Sequence, residues 1–264
     1  MPLRGPVRGL LGGGLLLLAA ASPARADLAE IKARGSLRVL ASADEDAAWF
    51  SQQASDAPGF EREVLEGFAR VRKLRFEAVP VVRWEDAIPM LLRQEGDVLG
   101  GISATRERRQ KVDFSVELLP ARSIVVTWSP HHSPIRSLAA LQRARLVIVA
   151  NTTWAEALDK AGVSTAKATH VDGLAAAIEA IRANHADATV IGVVDFFLQR
   201  RKLGELEAGL PLGEPLSSAW AVRKGSSELL AALDDYLGQF RRSSNWSRLL
   251  VKYFGADAPA ILKP

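Results

Sequence analysis

The feature that most limits how this chain can fold is a repeated change of hydrophobic period. Ser36–Ser42 alternates, with Leu37, Val39 and Ala41 on one face, the two-residue repeat of a strand. Phe60–Val71 then places Phe60, Val64, Leu65, Phe68 and Val71 on one helical stripe. Leu74–Val81 returns to alternation through Leu74, Phe76 and Ala78. Trp84–Gln94 reads as a helix with Ile88, Leu91 and Leu92 inward, and Val98–Ile102 as a short buried strand. A β-α-β-α-β order calls for a largely parallel sheet covered by helices.

The later half repeats the theme. Ser123–Thr127 is a strand, and the loop Ser129–Pro134 marks a boundary with its two prolines. A second set follows: strand Leu146–Ala150, helices Thr153–Ala161 and Gly173–Asn184, strand Ala188–Val194 and helix Phe196–Lys202. Asp172 is placed to cap the second of those helices. Gly204–Pro215 reads as a loop with Gly and Pro at its ends. Strand Ala219–Val222 and helices Ser226–Phe240 and Asn245–Tyr253 close the chain. These patterns predict two α/β units, one inserted in the other and joined near 120–130 and 212–218. The expected division is lobe one over 27–122 and 217–264, and lobe two over 123–216.

The N-terminus bears on compartment. Arg4 and Arg8 precede an apolar run, Leu10–Ala21, and Ala24-Arg25-Ala26 is an A-x-A cleavage site. Residues 1–26 therefore read as a secretory signal peptide. The apolar run is shorter than the roughly 20 residues of a spanning helix. Cleavage removes three arginines and no acid, so the formal charge falls from +4 to +1. No Lys/Arg block of nucleic-acid type remains. The chain has no cysteine, which excludes disulfides, thiolate catalysis and zinc–cysteine sites. Its core must come from ordinary hydrophobic packing. His131 and His132 lack partner ligands at metal-site spacing, so neither a metal nor a cofactor is expected.

The strongest functional signal is Gly101–Ser115. An apolar strand ends in glycine and small hydroxyl residues, then enters a charged helix. Free backbone N–H groups and the fork of Arg108 would make a cradle for a carboxylate or similar anion. Thr105 reads either as that helix's N-cap or as a ligand contact.

Several segments resemble the family 3 extracellular solute-binding proteins. Pro58-Gly59-Phe60-Glu61-Arg62-Glu63 is similar to that family's glycine–phenylalanine–acidic opening, and Trp84 with Ile88-Pro89 to a later segment. Gly96-Asp97-Val98, Thr105-Arg106-Glu107-Arg108 and Asp113-Phe114-Ser115 resemble its strongest motif. Asn151-Thr152-Thr153, the run Trp220–Gly225 and Asn245–Gly255 follow in the family's order. The resemblance implies a periplasmic-binding-protein-like type II fold: two α/β lobes joined by two hinge strands, closing on a solute in the cleft. It implies a carboxylate site made of Arg108, the Ser103 backbone and Thr153; Gly101 and Thr152 beside them are further candidate ligand residues, and Ala48-Trp49-Phe50 stands at the cleft-edge position, where Trp49 and Phe50 read either as core or as cleft wall. The acidic position that meets a ligand α-ammonium is Gly192 here. Asp195, three residues on, is the nearest acid; it also reads as an N-cap before Phe196, past the strand end. A retained carboxylate site without its ammonium partner favours an acid or other anion over a common amino acid.

Three classes follow from the resemblance. The expected one is a monomeric periplasmic binding protein, not an enzyme, that passes a small polar solute to an inner-membrane ABC permease. The second is a sensory or regulatory module, which would need a separate partner because the chain ends at Pro264. The third is a cyclohexadienyl (prephenate or arogenate) dehydratase-like enzyme, against which Gly192 counts as a missing general acid.

Overall fold

The computed structural model describes Met1 and residues 28–55, 57–150, 152–256, 258 and 262; the signal peptide expected over 1–26 lies outside them apart from Met1, as does Asn151. Helix α1 (Leu28–Arg34) leads into β1 (Ser36–Ser42), α2 (Phe60–Val71), β2 (Arg75–Val81) and, after a 3-10 turn at Trp84–Asp86, α3 (Ala87–Leu92). Strand β3 (Val98–Ser103) follows, then α4 (Arg106–Lys111) and β4 (Val112–Phe114). Strands β1 and β2 are parallel from Ser36↔Arg75 to Ser42↔Val81, and β1 is parallel to β3. Strand β1 is buried on both faces, with Leu37, Val39 and Leu40 fully covered, as a central parallel strand requires.

The next elements are β5 (Leu119–Trp128), α5 (Leu138–Leu141), β6 (Leu146–Val149), α6 (Thr153–Lys160), β7 (Thr169–Val171), α7 (Leu174–Arg182), β8 (Ala188–Gly192) and α8 (Val193–Lys202). Strand β9 (Leu206–Arg223), α9 (Ser227–Arg241) and α10 (Ser244–Phe254) complete the described elements. The strands form one mixed sheet in the order β2-β1-β3-β9-β5-β8-β6-β7, with β4 also on β9. Strands β5 and β9 cross its middle as an antiparallel pair, from Leu119↔Ser218 to Trp128↔Leu206.

Several expectations change. The loop expected at Gly204–Pro215 is mostly strand: β9 runs for 18 residues. Leu206, Ala208, Pro211 and Leu212 pair with β5. Proline is tolerated there because this part of β9 has a strand on one side only, while Leu210 N donates to Ile135 O on the other, at 2.7 Å. Strand β5 likewise begins earlier than Ser123. Gly173, not Asp172, is the N-cap of α7. Val71, assigned to the buried stripe of α2, is two-thirds exposed; it lies in the last turn, beyond the reach of the aromatic cluster that covers Phe60 and Phe68. Leu92 is also exposed at the end of α3, where Leu91 takes the core position.

The core around α2 is aromatic. Phe60 stacks on Trp49 at 5.5 Å and packs against Trp246, Tyr253 and Phe254 of α10. The same apolar cluster continues to Phe196 and Phe197 of α8. Asp97, part of the family-like motif, has a structural task. It is buried, accepts from Arg38 N at 2.9 Å and pairs with Arg38 and Arg34.

Candidate functional site

A cavity of about 330 Å³ opens over the crossing strands, within the range of small-molecule sites. One wall is Gly101, Ile102 and Ser103 of β3 with Arg108 of α4. The floor is Pro120–Ser123 of β5 and Ser218 of β9. Thr152, Thr153 and Trp154 at the start of α6 and Gly192–Asp195 at the β8–α8 junction form the opposite wall. Glu45 and Trp49 from the loop after β1, and Trp84, close the remaining side. Of the residues singled out from sequence, Arg108, Ser103, Gly101, Thr153, Thr152, Trp49 and Asp195 meet here; Thr105 does not line the cavity. Phe50, beside Trp49, is buried in the core, and neither His131 nor His132 lines the cavity. His131 Nε2 is 3.0 Å from Arg182 O, and His132 Nε2 is 3.0 Å from Asn184 Oδ1.

Arg108 is oriented by its helix. Its neighbours Arg106, Glu107, Arg109 and Gln110 are exposed, whereas Arg108 is partly buried. Its Nη1 donates to Ser103 O at 3.0 Å, which leaves the rest of the fork for a ligand. Burial lowers its pKa from the ordinary guanidinium value. Thr105 accepts from Arg108 N at 3.3 Å and caps α4, so its hydroxyl serves the helix. Across the cavity, Thr152 caps α6 by accepting from Ala155 N at 3.2 Å and donates to Val149 O at 2.8 Å. Its hydroxyl is thus occupied, and the first N–H groups of α6 border the cavity instead.

Gly100 and Gly101 form a bulge where β3 slips against β9 between Leu99↔Ala221 and Ile102↔Ala219. Glu61 of α2 fills the space beneath. Its carboxylate accepts from Gly101 N, from Trp220 Nε1 at 3.0 Å and from the Trp49 side chain. A Cβ on Gly101 would lie 2.9 Å from Trp49 Nε1 and 3.0 Å from both Glu61 oxygens. Burial raises the Glu61 pKa to about 7, against the lowering effect of its three donors. Sequence reading noted Glu61 only within the family-like opening; a buried acid facing two glycines across the fold has no local signature.

The largest departure concerns the apparently missing acid. Asp195 is in the first turn of α8, whose N-cap is Gly192, so Asp195 is not an N-cap. The strand-to-helix turn brings its carboxylate back over Gly192: an ideal Cβ there would sit 2.5 Å from Asp195 Oδ2 and 3.3 Å from Trp154 Nε1. The glycine is therefore a gap through which Asp195 reaches the cavity. Burial and the charge of Asp46 push Asp195 up to about 7, against two backbone N–H donors. Glu45, the middle residue of the acidic run Asp44-Glu45-Asp46, lines the cavity as well. Burial first, then Asp195 and Glu61, raise it to about 8. Beside it Asp46 turns away to Lys202 Nζ of α8, 2.6 Å distant, and Gln199 Nε2, 3.4 Å distant. Sequence reading also missed Arg122, an exposed β5 residue beside a register shift, and Trp154; neither has a distinguishing pattern around it.

A profile of the bacterial extracellular solute-binding proteins, family 3, matches residues 37–256. A probable amino-acid ABC transporter-binding protein of Haemophilus influenzae is 26% identical over 212 residues, 79% of this chain and 80% of that one. A membrane-bound lytic murein transglycosylase F of Stutzerimonas stutzeri is 25% identical over 92% of this chain, which spans about half (51%) of that relative's length. Among solved structures, an ancestral cationic amino acid solute binding protein superposes with a TM-score of 0.73 at 25% identity, covering 86% of this chain and 98% of that one.

Proposed function

We propose, starting from the fact that this chain belongs to the bacterial extracellular solute-binding proteins, family 3, that it captures a small carboxylate-bearing solute of the amino-acid class and presents it to an ABC-type importer. The observation that carries this reading is the placement of one cavity against Arg108, the α6 N-terminus and both crossing strands. A carboxylate can take the Arg108 fork from one side and the α6 N–H groups from the other. That double contact draws the two sides of the cavity together. Residues 27–122 with 217–264, and 123–216, are the proposed lobes; β5 and β9 between them are the proposed hinge. Export to the periplasm follows from the N-terminal pattern and suits an extracellular family. Among the described residues no helix is long and apolar enough to cross a membrane. The preference for an acid over an amino acid loses its basis, because Asp195 and Glu45 line the cavity.

The test is a thermal-shift screen of the cleaved protein against amino acids, keto acids, dicarboxylates and polyamines. A ligand that binds the native state raises the melting temperature by mass action. At least one carboxylate-bearing solute should do so, and Arg108→Ala should abolish the shift without lowering the unliganded melting temperature. A solute bound equally well by that variant overturns the reading.

One observation favours a second reading. Glu45 and Asp195 are cavity acids whose pKa values are raised to about 8 and about 7, the range suited to proton transfer. The absent general acid therefore no longer counts against a dehydratase-like activity. Turnover of prephenate, followed by absorbance, decides between capture and catalysis.

A further inference from the structure

Resting on the reading of the cavity as the solute site, we propose that Asp195 and Glu45 hold positive groups of the solute, and that the solute is an amino acid with a cationic side chain. The charges within the cavity are unequally satisfied. Arg108 and Arg122 line it as cations, and one ligand carboxylate meets their need together with the α6 N-terminus. Glu45 and Asp195 enter from two different elements, the loop after β1 and α8. Among the described residues neither has an ion-pair partner, and the charges that act on them are those of other carboxylates. Their acidic neighbours have partners of their own. Asp46 is held by Lys202, and Glu61 is satisfied by three N–H donors beneath Gly101.

Two half-buried carboxylates that line one cavity with no cation beside them are costly as charges. They are stabilised by positive charge from outside. The α-ammonium of a neutral amino acid supplies one unit; a cationic side chain supplies the second. The walls are suited to such a group, because Trp49, Trp84 and Trp154 border the same space and indole faces attract organic cations. Gly192 makes the arrangement possible, since any side chain there would collide with the Asp195 carboxylate.

The groups facing this pair also make binding proton-linked. Glu45 meets Asp195, Glu61 and Asp46; Asp195 meets Asp46; Lys202 reaches only Asp46, and Arg108 and Arg122 take the ligand carboxylate. In the empty cavity burial and mutual repulsion keep both acids partly protonated near neutral pH. A ligand cation favours their charged forms and expels the protons.

The experiment is titration calorimetry of the cleaved protein at pH 7 with L-arginine, L-citrulline, which keeps arginine's shape without its side-chain charge, and L-glutamate. L-arginine should bind roughly tenfold or more tightly than L-citrulline, with L-glutamate weakest. The heat should change between phosphate and Tris buffers in the direction of proton release. Asp195→Asn and Glu45→Gln should each erase most of the preference, and Gly192→Ala should do so by displacing Asp195. The comparison of the three ligands on the unaltered protein needs no variant to fold. Equal binding of L-arginine and L-citrulline, tighter binding of L-glutamate, or heats independent of buffer overturn the proposal while leaving the cavity as a solute site. If no amino acid binds and Arg108→Ala changes the affinity for no other solute, that reading falls as well and takes the proposal with it.

Discussion

Lys202 Nζ of α8 lies 2.6 Å from Asp46 Oδ2 in the loop after β1, and this bridge, with the longer Gln199 Nε2 contact to the same carboxylate, joins two sides of the cavity. Both elements carry a cavity acid, Asp195 and Glu45. Lys202 is about half exposed, so the pair is worth little to overall stability, but it acts on how the two sides meet.

Lys202→Met should therefore leave the melting temperature within about 2 °C of the unaltered protein, while weakening solute affinity roughly two- to fivefold. Added salt should weaken the unaltered protein towards the variant by screening the pair. Calorimetry at low and high NaCl checks this; an affinity indifferent to both changes rejects the bridge as a closing contact.

Arg108→Lys should bind a carboxylate ligand at least tenfold more weakly than the arginine form, because an ammonium offers no planar fork. Circular dichroism melts should be superimposable, since the Arg108 side chain makes one internal hydrogen bond, to Ser103 O.

Gly101→Ala tests the bulge. At φ +20°, with a Cβ 2.9 Å from Trp49 Nε1 and 3.0 Å from the Glu61 oxygens, the new methyl has to displace a buried indole or a buried carboxylate. A loss of about 1–3 kcal/mol is expected, the usual range for overpacking a core. Urea denaturation should show a lower midpoint with an unchanged slope; a neutral result shows that Glu61 can move away at no cost.

Stability should fall as pH rises across the neutral range. The Glu61, Asp195 and Glu45 pKa values are raised in the folded protein to about 7, 7 and 8, from 4.5, 3.8 and 4.5. The folded state thus binds more protons than the unfolded one between about pH 4 and pH 8. The stabilisation is complete below the unfolded values and is lost as pH passes the folded ones. Melting temperatures of the unliganded protein should decline from pH 5 to pH 8. Glu61→Gln keeps an oxygen for the Gly101 and Trp220 donors and should flatten the decline.

Much of the scaffold was legible because period and composition agree where strands are buried and helices amphipathic. Ser36–Ser42 and Phe60–Val71 are read to the residue. The second half of the crossing pair was not legible: Gly209, Pro211, Gly213 and Pro215 mimic a loop, and only pairing with β5 through Leu206, Ala208, Pro211 and Leu212 makes the segment a strand. The Arg108 side of the cavity was accessible because hydroxyl, glycine and arginine lie within eight residues of one another. The acidic side was not, because it depends on the backbone turning from strand to helix at Gly192. A gap in sequence and a carboxylate three residues later become one site only after that turn. Glu45 was hidden for a related reason. An acidic run is normally solvated, and what sets Glu45 apart is the cavity it lines and the charge of Asp195, 150 residues away in sequence.

The pairing of β3 with β9 has a consequence for how the molecule is made. Leu99 finds Ala221 and Ile102 finds Ala219, so the rim that carries Gly101 and Ser103 keeps a bare edge until nearly the last strand has been synthesised. Contacts so distant along the chain form late and slowly, and an unpaired edge invites wrong partners. The Gly101–Ser103 rim of the cavity is accordingly among the last parts to assemble, because chains stopped short of residue 218 lack its partner strand.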